Sequence, residues 1–294
     1  MRIAVIGHYI YFANHFPEHW QSDGNVLCLN VSERDYSWLV CVRNFRPDLT
    51  LFFRPELYPR RLVEAVPGIR VAFLSEPLPN VSDGRFEHTP ETDLRLLVYA
   101  NMAWGSYHWR IYYDEGKRES VARLGFGVDE FRPLPVDTAT FYPLRGQDRP
   151  APRYDVCFVG KPTVHRIEKL DFLRSSHLSF VWVAHGAAGA DLAWVLQRSR
   201  LVLNVHADGM PAMEPRVYLG AACGGLVVSE PLSSAPSYLC DRIIQVAGPW
   251  NEEVFQSLLA VEDRLQGPLD LADEVARMGT RRLVQDVWAR FCAG

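Results

Sequence analysis

The chain has 294 residues, 48% of them hydrophobic and 22% charged, with a formal net charge of -4. That length is ample for two domains, and the composition is that of a folded chain. The slight negative charge gives no general attraction to polynucleotides, so nucleic acid is not an expected partner.

Apolar runs of strand length alternate with helical patterns from the start. RIAVIG (2–7), NVLCLN (25–30), LTLFF (49–53), RVAFLS (70–75) and LRLLVYA (94–100) read as strands. Their near-continuous hydrophobicity is that of a parallel sheet covered on both faces. RDYSWLVCVRNF (34–45) and YPRRLVEAVPG (58–68) read as crossover helices, the second stopped by Pro67-Gly68. Between 127 and 153 the chain turns rich in proline and charge and loses its period, the texture of a linker.

A second alternation follows: strands at 154–160, 178–184, 201–205, 225–229 and 243–247, with helices from HRIEKLDFLRSS, DLAWVLQRS and residues 214–223 among them. NEEVFQSLLAVEDRL and LADEVARMGTRRLVQDVWARF read as two closing helices. The expected fold is α/β, with two Rossmann-like doubly wound domains facing a cleft: 1–133, a linker at 134–153, and 154–294. The six cysteines, Cys28, Cys41, Cys157, Cys223, Cys240 and Cys292, form no CxxC pair and mostly lie in apolar runs, so buried reduced thiols are expected. The apolar start MRIAVIGHY is too short for a signal peptide, and no segment has the length of a bilayer span. A cytoplasmic location is the expectation, with peripheral membrane association still compatible.

In doubly wound sheets ligands lie beyond the carboxyl ends of the strands, where strand order reverses. That rule selects Gly7, His8, Arg54, Glu76, Gly160, Lys161, His185, Asn204, His206, Ser229 and Glu230. In VGKPTVHR (159–166), Gly160 ends a strand, Thr163 can cap a helix, and Lys161 and Arg166 can bring charge to a diphosphate; a plain strand-to-helix turn explains the glycine equally well. In MEPRVYLGAACGGLVVSEPL (213–232), Glu214 and Arg216 open a helix of small residues, Ala221 and Ala222 with Gly224 and Gly225 following. Small residues let a ligand or a neighbouring backbone come close, or serve only tight helix-on-sheet packing. Asn204, His206, Glu214 and Arg216 together at one sheet edge favour the ligand.

The first half offers GHYIYFANHFPEHW (7–20), with His8, His15 and His19, and LSEPLPN (74–80), with Glu76 at a strand end. His15 and Glu76, then His8, are candidate general bases; packing histidines and a turn carboxylate are the alternatives, and the histidine spacing is too loose for a zinc site. YHWRIYY (107–113) supplies aromatic surface for stacking on sugars, or core.

YDVCFVGKPTVHRIEKLDFL, LVLNVHADG and PRVYLGAACGGLVV resemble the carboxyl-terminal domain of the CgeB-like (spore-protein) glycosyltransferases, relatives of the group 1 glycosyltransferases with the GT-B fold. PVDTATFYPL is similar to that family's element leading out of the first domain, here Asp137, Phe141 and Pro143. The resemblance runs over about 134–230. It implies a metal-independent transfer of sugar from a nucleotide sugar held by the second domain to an acceptor, which could be glycan, protein or small molecule, held by the first. It implies no cofactor, and a last helix that crosses back to the first domain. The donor would be held by Gly160, Lys161, Arg166, His185, Asn204, His206, Glu214, Arg216 and Tyr218. Leu219 stands where the family carries a ribose-binding glutamate. A noncatalytic relative that binds a nucleotide, sugar or partner protein, and a nucleotide-sugar epimerase, are the alternative readings.

Overall fold

The computed structural model describes residues 1–16, 24–31, 36–144, 152–235, 239, 242–264 and 279–292. The chain divides into two compact units, Met1–Asp137 with Met278–Gly294, and Thr138–Arg277. His19, Cys240, and residues 34–35, 145–151 and 271–278, on which some expectations fell, lie outside the described residues.

In the first unit β1 (Ile3–Gly7), β2 (Val26–Asn30), β3 (Leu49–Phe53) and β4 (Ile69–Leu74) follow in order, then a small antiparallel hairpin of β5 (Asn80–Ser82) and β6 (Arg85–Glu87). β7 (Trp109–Tyr112) and the two-residue β8 (Glu130–Phe131) complete a six-stranded sheet of order β2-β1-β3-β4-β7-β8. Every pairing in it is parallel. All of β1 and β3 is buried, which is why those segments carry almost no polar residue.

The stretch 94–100 is not a strand. It belongs to a helix, Pro90–Ala100, because Thr89 caps it: its hydroxyl accepts from the Thr92 N–H, the Thr92 hydroxyl accepts from the Thr89 N–H, and Pro90 occupies the first turn. Leu94 and Leu97 are left exposed on it. The strand in the sheet is instead Trp109–Tyr112, cut from the aromatic run read as a sugar-stacking surface. Tyr107, Trp109, Ile111, Tyr112 and Tyr113 are all buried in the core of this unit. The last described helix, Thr280–Cys292, adds Leu283, Val284 and Val287 to that core.

The second unit holds β9 (Tyr154–Val159), β10 (Phe180–Val183), β11 (Ser199–Asn204), β12 (Leu226–Ser229) and β13 (Ile243–Gln245) in a parallel sheet of order β10-β9-β11-β12-β13. Its helices include Val164–Leu170, Gly189–Leu196, Pro215–Ala222 and Glu252–Arg264. Both sheets reverse direction once, between β1 and β3 and between β9 and β11. Cys157 and Cys223 are buried and their thiols are pushed up by burial, Cys157 to about 12; Cys41 is exposed.

The small residues of 220–225 serve packing. A Cβ on Gly220 would stand 2.8 Å from Val202 Cγ1, and one on Gly225 3.0 Å from Val202 Cγ2, so helix Pro215–Ala222 lies directly against β11. Leu219 is buried with the rest of that helix.

His15 also belongs to the packing. It is 3% exposed, its ring stacks on Phe53, its Nδ1 donates to the Pro135 carbonyl at 2.6 Å, and its own carbonyl accepts from Thr280 Oγ1. Burial pulls the imidazole down to about 4, against the Pro135 hydrogen bond, which raises it.

Two predictions follow from this packing. Gly220→Ala should destabilise the protein by about 1–3 kcal/mol in urea denaturation, since overpacking against Val202 outweighs the roughly 1 kcal/mol helix preference of alanine. Val202→Ala should recover part of that loss; an unchanged or raised midpoint for Gly220→Ala alone would mean the helix can lift off. For His15, an unfolded imidazole takes its proton near 6.5, before the folded one does. The stability that depends on a neutral ring is therefore complete above that pH, declines as pH falls toward 4, and is flat below. Between pH 7 and 4.5 the parent should lose about 2–3 kcal/mol more than His15→Phe. Parallel pH profiles would remove His15 as the source.

Candidate functional site

At the reversal point of the second sheet, β9 ends at Val159 with Gly160 directly after it, and β11 ends in Asn204. Gly160 has φ 153°, a conformation that favours glycine. A Cβ there would meet Phe158 at 3.2 Å, Arg166 Nη1 at 3.3 Å and Arg216 Nη2 at 3.4 Å. Two guanidinium groups thus converge on one stretch of bare backbone. Both lie over the Phe158 ring, at 5.3 Å for Arg166 and 5.2 Å for Arg216.

Backbone carbonyls hold them. Arg166 donates from Nε to the Val205 carbonyl at 3.1 Å and from Nη1 to the Lys161 carbonyl at 3.0 Å. Arg216 Nη1 donates to Asn204 Oδ1 at 3.0 Å and to the same Val205 carbonyl at 3.1 Å. Asn204, fully buried, is oriented in turn by its amide donating to Ser229 Oγ at 2.9 Å. Thr163 caps helix Val164–Leu170, accepting from the Arg166 N–H, which fixes where the Arg166 side chain starts.

Among the described residues Glu214 stands in ion-pair distance of both arginines, and Asp208 and Glu230 add their attraction for Arg166. Glu214, the N-cap of helix Pro215–Ala222, stands 3.4 Å from Arg216 Nη2 and 3.8 Å from Arg166 Nη2, and makes no cap hydrogen bond. Burial first, and then the Arg216 charge, pull Arg166 down to about 10. A buried arginine weakened by its like-charged neighbour is relieved by an anion between them.

Beside this pair, beyond β12, is a second polar group that the sequence reading had only in part. Glu230 is 6% exposed and accepts from His165 Nε2 at 2.9 Å and from the His206 N–H at 2.8 Å, with Lys169 Nζ at 3.7 Å. His206 is buried, its Nε2 donates to the Pro231 carbonyl at 3.0 Å, and its Nδ1 has no partner among the described residues. Burial lowers the His206 pKa, against the pull of Glu230, so the ring is neutral at pH 7 with an acceptor nitrogen at Nδ1. His165, Lys169 and Phe158 were missed because nothing local marks them; their importance comes from β12 and β9 lying beside β11. Of the other expected residues, Lys161 and His185 are exposed and Tyr218 is buried in its helix.

The first unit has its own carboxyl-edge cluster. Arg54, at the end of β3 with φ 57°, pairs through Nε with Glu56 Oε1 and through Nη1 with Glu76 Oε1 at 2.8 Å. Arg95 Nε stands 2.5 Å from Glu76 Oε2, off the N–H direction, so that contact is ionic more than hydrogen-bonded. Arg95 also bonds Glu91 at 2.6 Å. Tyr99 and Tyr112 hydroxyls donate to the Glu76 carbonyl. Glu76 is therefore 7% exposed with both oxygens engaged, the position of a structural ion rather than of a free base. His15 is withdrawn into the core, as described above. His8 is the exposed one of the three proposed bases, at the end of β1 and N-cap of the four-residue helix Tyr9–Phe12. Among the described residues no group of three or more His, Cys, Asp and Glu could hold a metal ion, and no helix is long and apolar enough to cross a membrane.

No family model and no curated protein matches the chain. Solved structures do, along nearly the whole length. A glycosyltransferase from Rickettsia africae matches with a TM-score of 0.53 and 7% identity over 98% of this chain and 97% of that one. A putative UDP-N-acetylglucosamine 2-epimerase from Listeria monocytogenes matches with a TM-score of 0.55 and 10% identity, over 99% and 96%. AviGT4, a glycosyltransferase involved in avilamycin A biosynthesis, matches with a TM-score of 0.50 and 13% identity, over 97% and 98%. At such identities the likeness is one of fold: two units, each with a parallel sheet, of the GT-B kind.

Proposed function

We propose that the chain is a glycosyltransferase of the CgeB-like kind that moves a sugar from a nucleotide-sugar donor to an acceptor hydroxyl, with the donor diphosphate bound at Gly160 between Arg166 and Arg216. The observation that supports it most is the convergence of those two buried guanidinium groups on bare backbone, with the Glu214 carboxylate 3.4 Å from one and 3.8 Å from the other. Fixed guanidinium donors suit a leaving diphosphate, whose charge grows as the glycosidic bond breaks. The arginines are already held by the Val205, Lys161 and Asn204 acceptors, so little reorganisation is needed when the anion arrives. Lys161, exposed beside Gly160, adds a further positive charge.

The donor's hydroxyl-bearing part falls to the edge beyond β11 and β12, where His206 Nδ1 has its lone pair without a partner among the described residues and Glu230 is held by His165 and the His206 N–H. Leu219, buried in its helix, takes no hydrogen bond from a ribose. If the transfer inverts configuration, His8 is the group we assign to the acceptor's proton, since it is the solvated imidazole at a strand end. On this reading the protein uses a nucleotide sugar as substrate and needs no further cofactor.

The test is binding, then turnover. In calorimetry with nucleoside diphosphates, Arg216→Ala should raise Kd at least about tenfold, the scale of a charge-assisted hydrogen bond. Glu214→Gln should bind pyrophosphate more tightly than the parent does, because it removes the carboxylate in ion-pair distance of both arginines. Equal affinity in all three folded proteins would take the diphosphate out of this site. Bound donor that is neither consumed with acceptor present nor rearranged would mark a noncatalytic binder; donor rearranged without any acceptor would mark an epimerase.

A further inference from the structure

The first unit contains a pocket of about 330 Å3 that the reading above does not use. Trp109 begins β7 and Glu130 begins β8, so the pocket lies at the amino ends of these strands, on the opposite edge of the sheet from Gly7, Arg54 and Glu76. Helix Thr280–Cys292 forms its other wall with Asp286, Val287 and Arg290.

Its polar atoms can be followed one by one. Asp129 takes the Arg110 Nε at 2.7 Å and Nη2 at 2.9 Å, one on each oxygen. Glu130 takes Arg132 Nε at 2.7 Å on one oxygen and Trp109 Nε1 at 3.1 Å on the other. Asp286 takes Arg132 Nη2 at 2.8 Å and Arg282 Nε at 2.8 Å, again on separate oxygens. Each carboxylate oxygen in the lining thus has a donor.

The donors are in excess. Arg132 Nη1 is buried without a partner among the described residues. Arg290 lies with its guanidinium carbon 3.4 Å from the centre of the Trp109 ring, and among the described residues it meets no carboxylate. Three carboxylates, Asp129, Glu130 and Asp286, therefore face four guanidinium groups, Arg110, Arg132, Arg282 and Arg290, which leaves one positive charge over. A guanidinium stacked on an indole keeps its N–H edge free to donate in the ring plane. Val287 and Trp109 supply the apolar part of the same pocket's lining.

We propose that this pocket binds a small organic monocarboxylate. One oxygen accepts from Arg132 Nη1 and the other from Arg290, while the apolar body rests against Val287 and Trp109. A single charge matches the single surplus. A phosphate dianion is disfavoured, because its second charge would face Glu130 and Asp286 at close range. Since Arg132 follows β8 and Arg290 belongs to the last helix, the ligand would fasten that helix onto the sheet of the first unit. It would act as an effector bound within the first unit, and it does not depend on the reaction proposed above.

Benzoate is a suitable probe, with benzamide as its neutral isostere and inorganic phosphate as the competing anion. Calorimetry on the full chain should give benzoate a Kd at or below about 1 mM, a free energy near -4 kcal/mol. Benzamide and phosphate should bind at least about tenfold more weakly. Arg290→Ala, at an exposed helix position, should weaken benzoate about tenfold or more and leave pyrophosphate affinity unchanged; Arg290→Lys should recover part of the loss. Benzoate should also slow amide hydrogen exchange across residues 280–292. Equal binding of benzoate and benzamide, tighter binding of phosphate, or benzoate affinity indifferent to Arg290→Ala would each overturn the proposal, as would a Kd far above 10 mM.

Discussion

Two like charges held close together inside a protein require a reason, and the second unit is arranged around such a pair. Arg166 and Arg216 come from different helices, yet both donate to the Val205 carbonyl and both lie over Phe158. An unpaired buried charge is expensive, and a pair of the same sign is more so. Here the expense is limited by carbonyl acceptors, an aromatic face and the Glu214 carboxylate at 3.4 and 3.8 Å, without being cancelled. The parallel sheet makes this feasible: its order reversal leaves a gap at the carboxyl ends of β9 and β11 into which both side chains can turn. The thin helix on β11 brings Arg216 to that gap, and Val202 sets how thin it has to be.

The first unit treats charge in the opposite way. At the corresponding edge of its sheet, Arg54 and Arg95 meet Glu56, Glu76 and Glu91 in alternating sequence. Positive and negative groups are nearly matched, and the hydroxyls of Tyr99 and Tyr112 anchor the backbone at Glu76. Such a network rigidifies and orders an edge, and leaves little unfulfilled electrostatic demand. The contrast between the two edges, one whose arginines are paired directly with carboxylates and one whose arginines are held by carbonyl oxygens, is the physical basis for proposing an anionic ligand at the second.

Much of this architecture is legible in the sequence, for a definite reason. Strands buried on both faces must be apolar along their whole length, so IAVIG, LTLFF and LVLN announce themselves. The same reasoning misled at 94–100, because a short apolar run carries no period that separates helix from strand. The deciding signal was the Thr89-Pro90 start with Thr92 three residues after the cap, a capping box built with threonine in place of the usual glutamate. At the site, Arg166, Arg216, Asn204 and Glu214 were legible because they sit at strand ends or helix starts. His165 and Phe158 were not, since their role is made by neighbours distant in sequence. His15 misled for a related cause: an imidazole in an aromatic loop suggests chemistry, and only the tertiary contacts with Phe53, Pro135 and Thr280 show that it is core.

The twenty residues from Met213 to Leu232 divide their tasks by position along one helix and one strand. The first turn carries the charge, in Glu214 and Arg216. The middle and end carry only shape: Val217 to Ala222 are buried, and Gly220 and Gly225 admit Val202. Hydrogen-bonding chemistry resumes at the far end of the following strand, where Ser229 orients Asn204 and Glu230 gathers His165 and the His206 N–H. A leucine at 219 is consistent with that division. A carboxylate there would sit among buried apolar residues, whereas the same charge at Glu230 is met by a histidine, a backbone N–H and a nearby lysine. The negative charge at this edge thus stands at the end of β12, where donors surround it, and not in the middle of the helix.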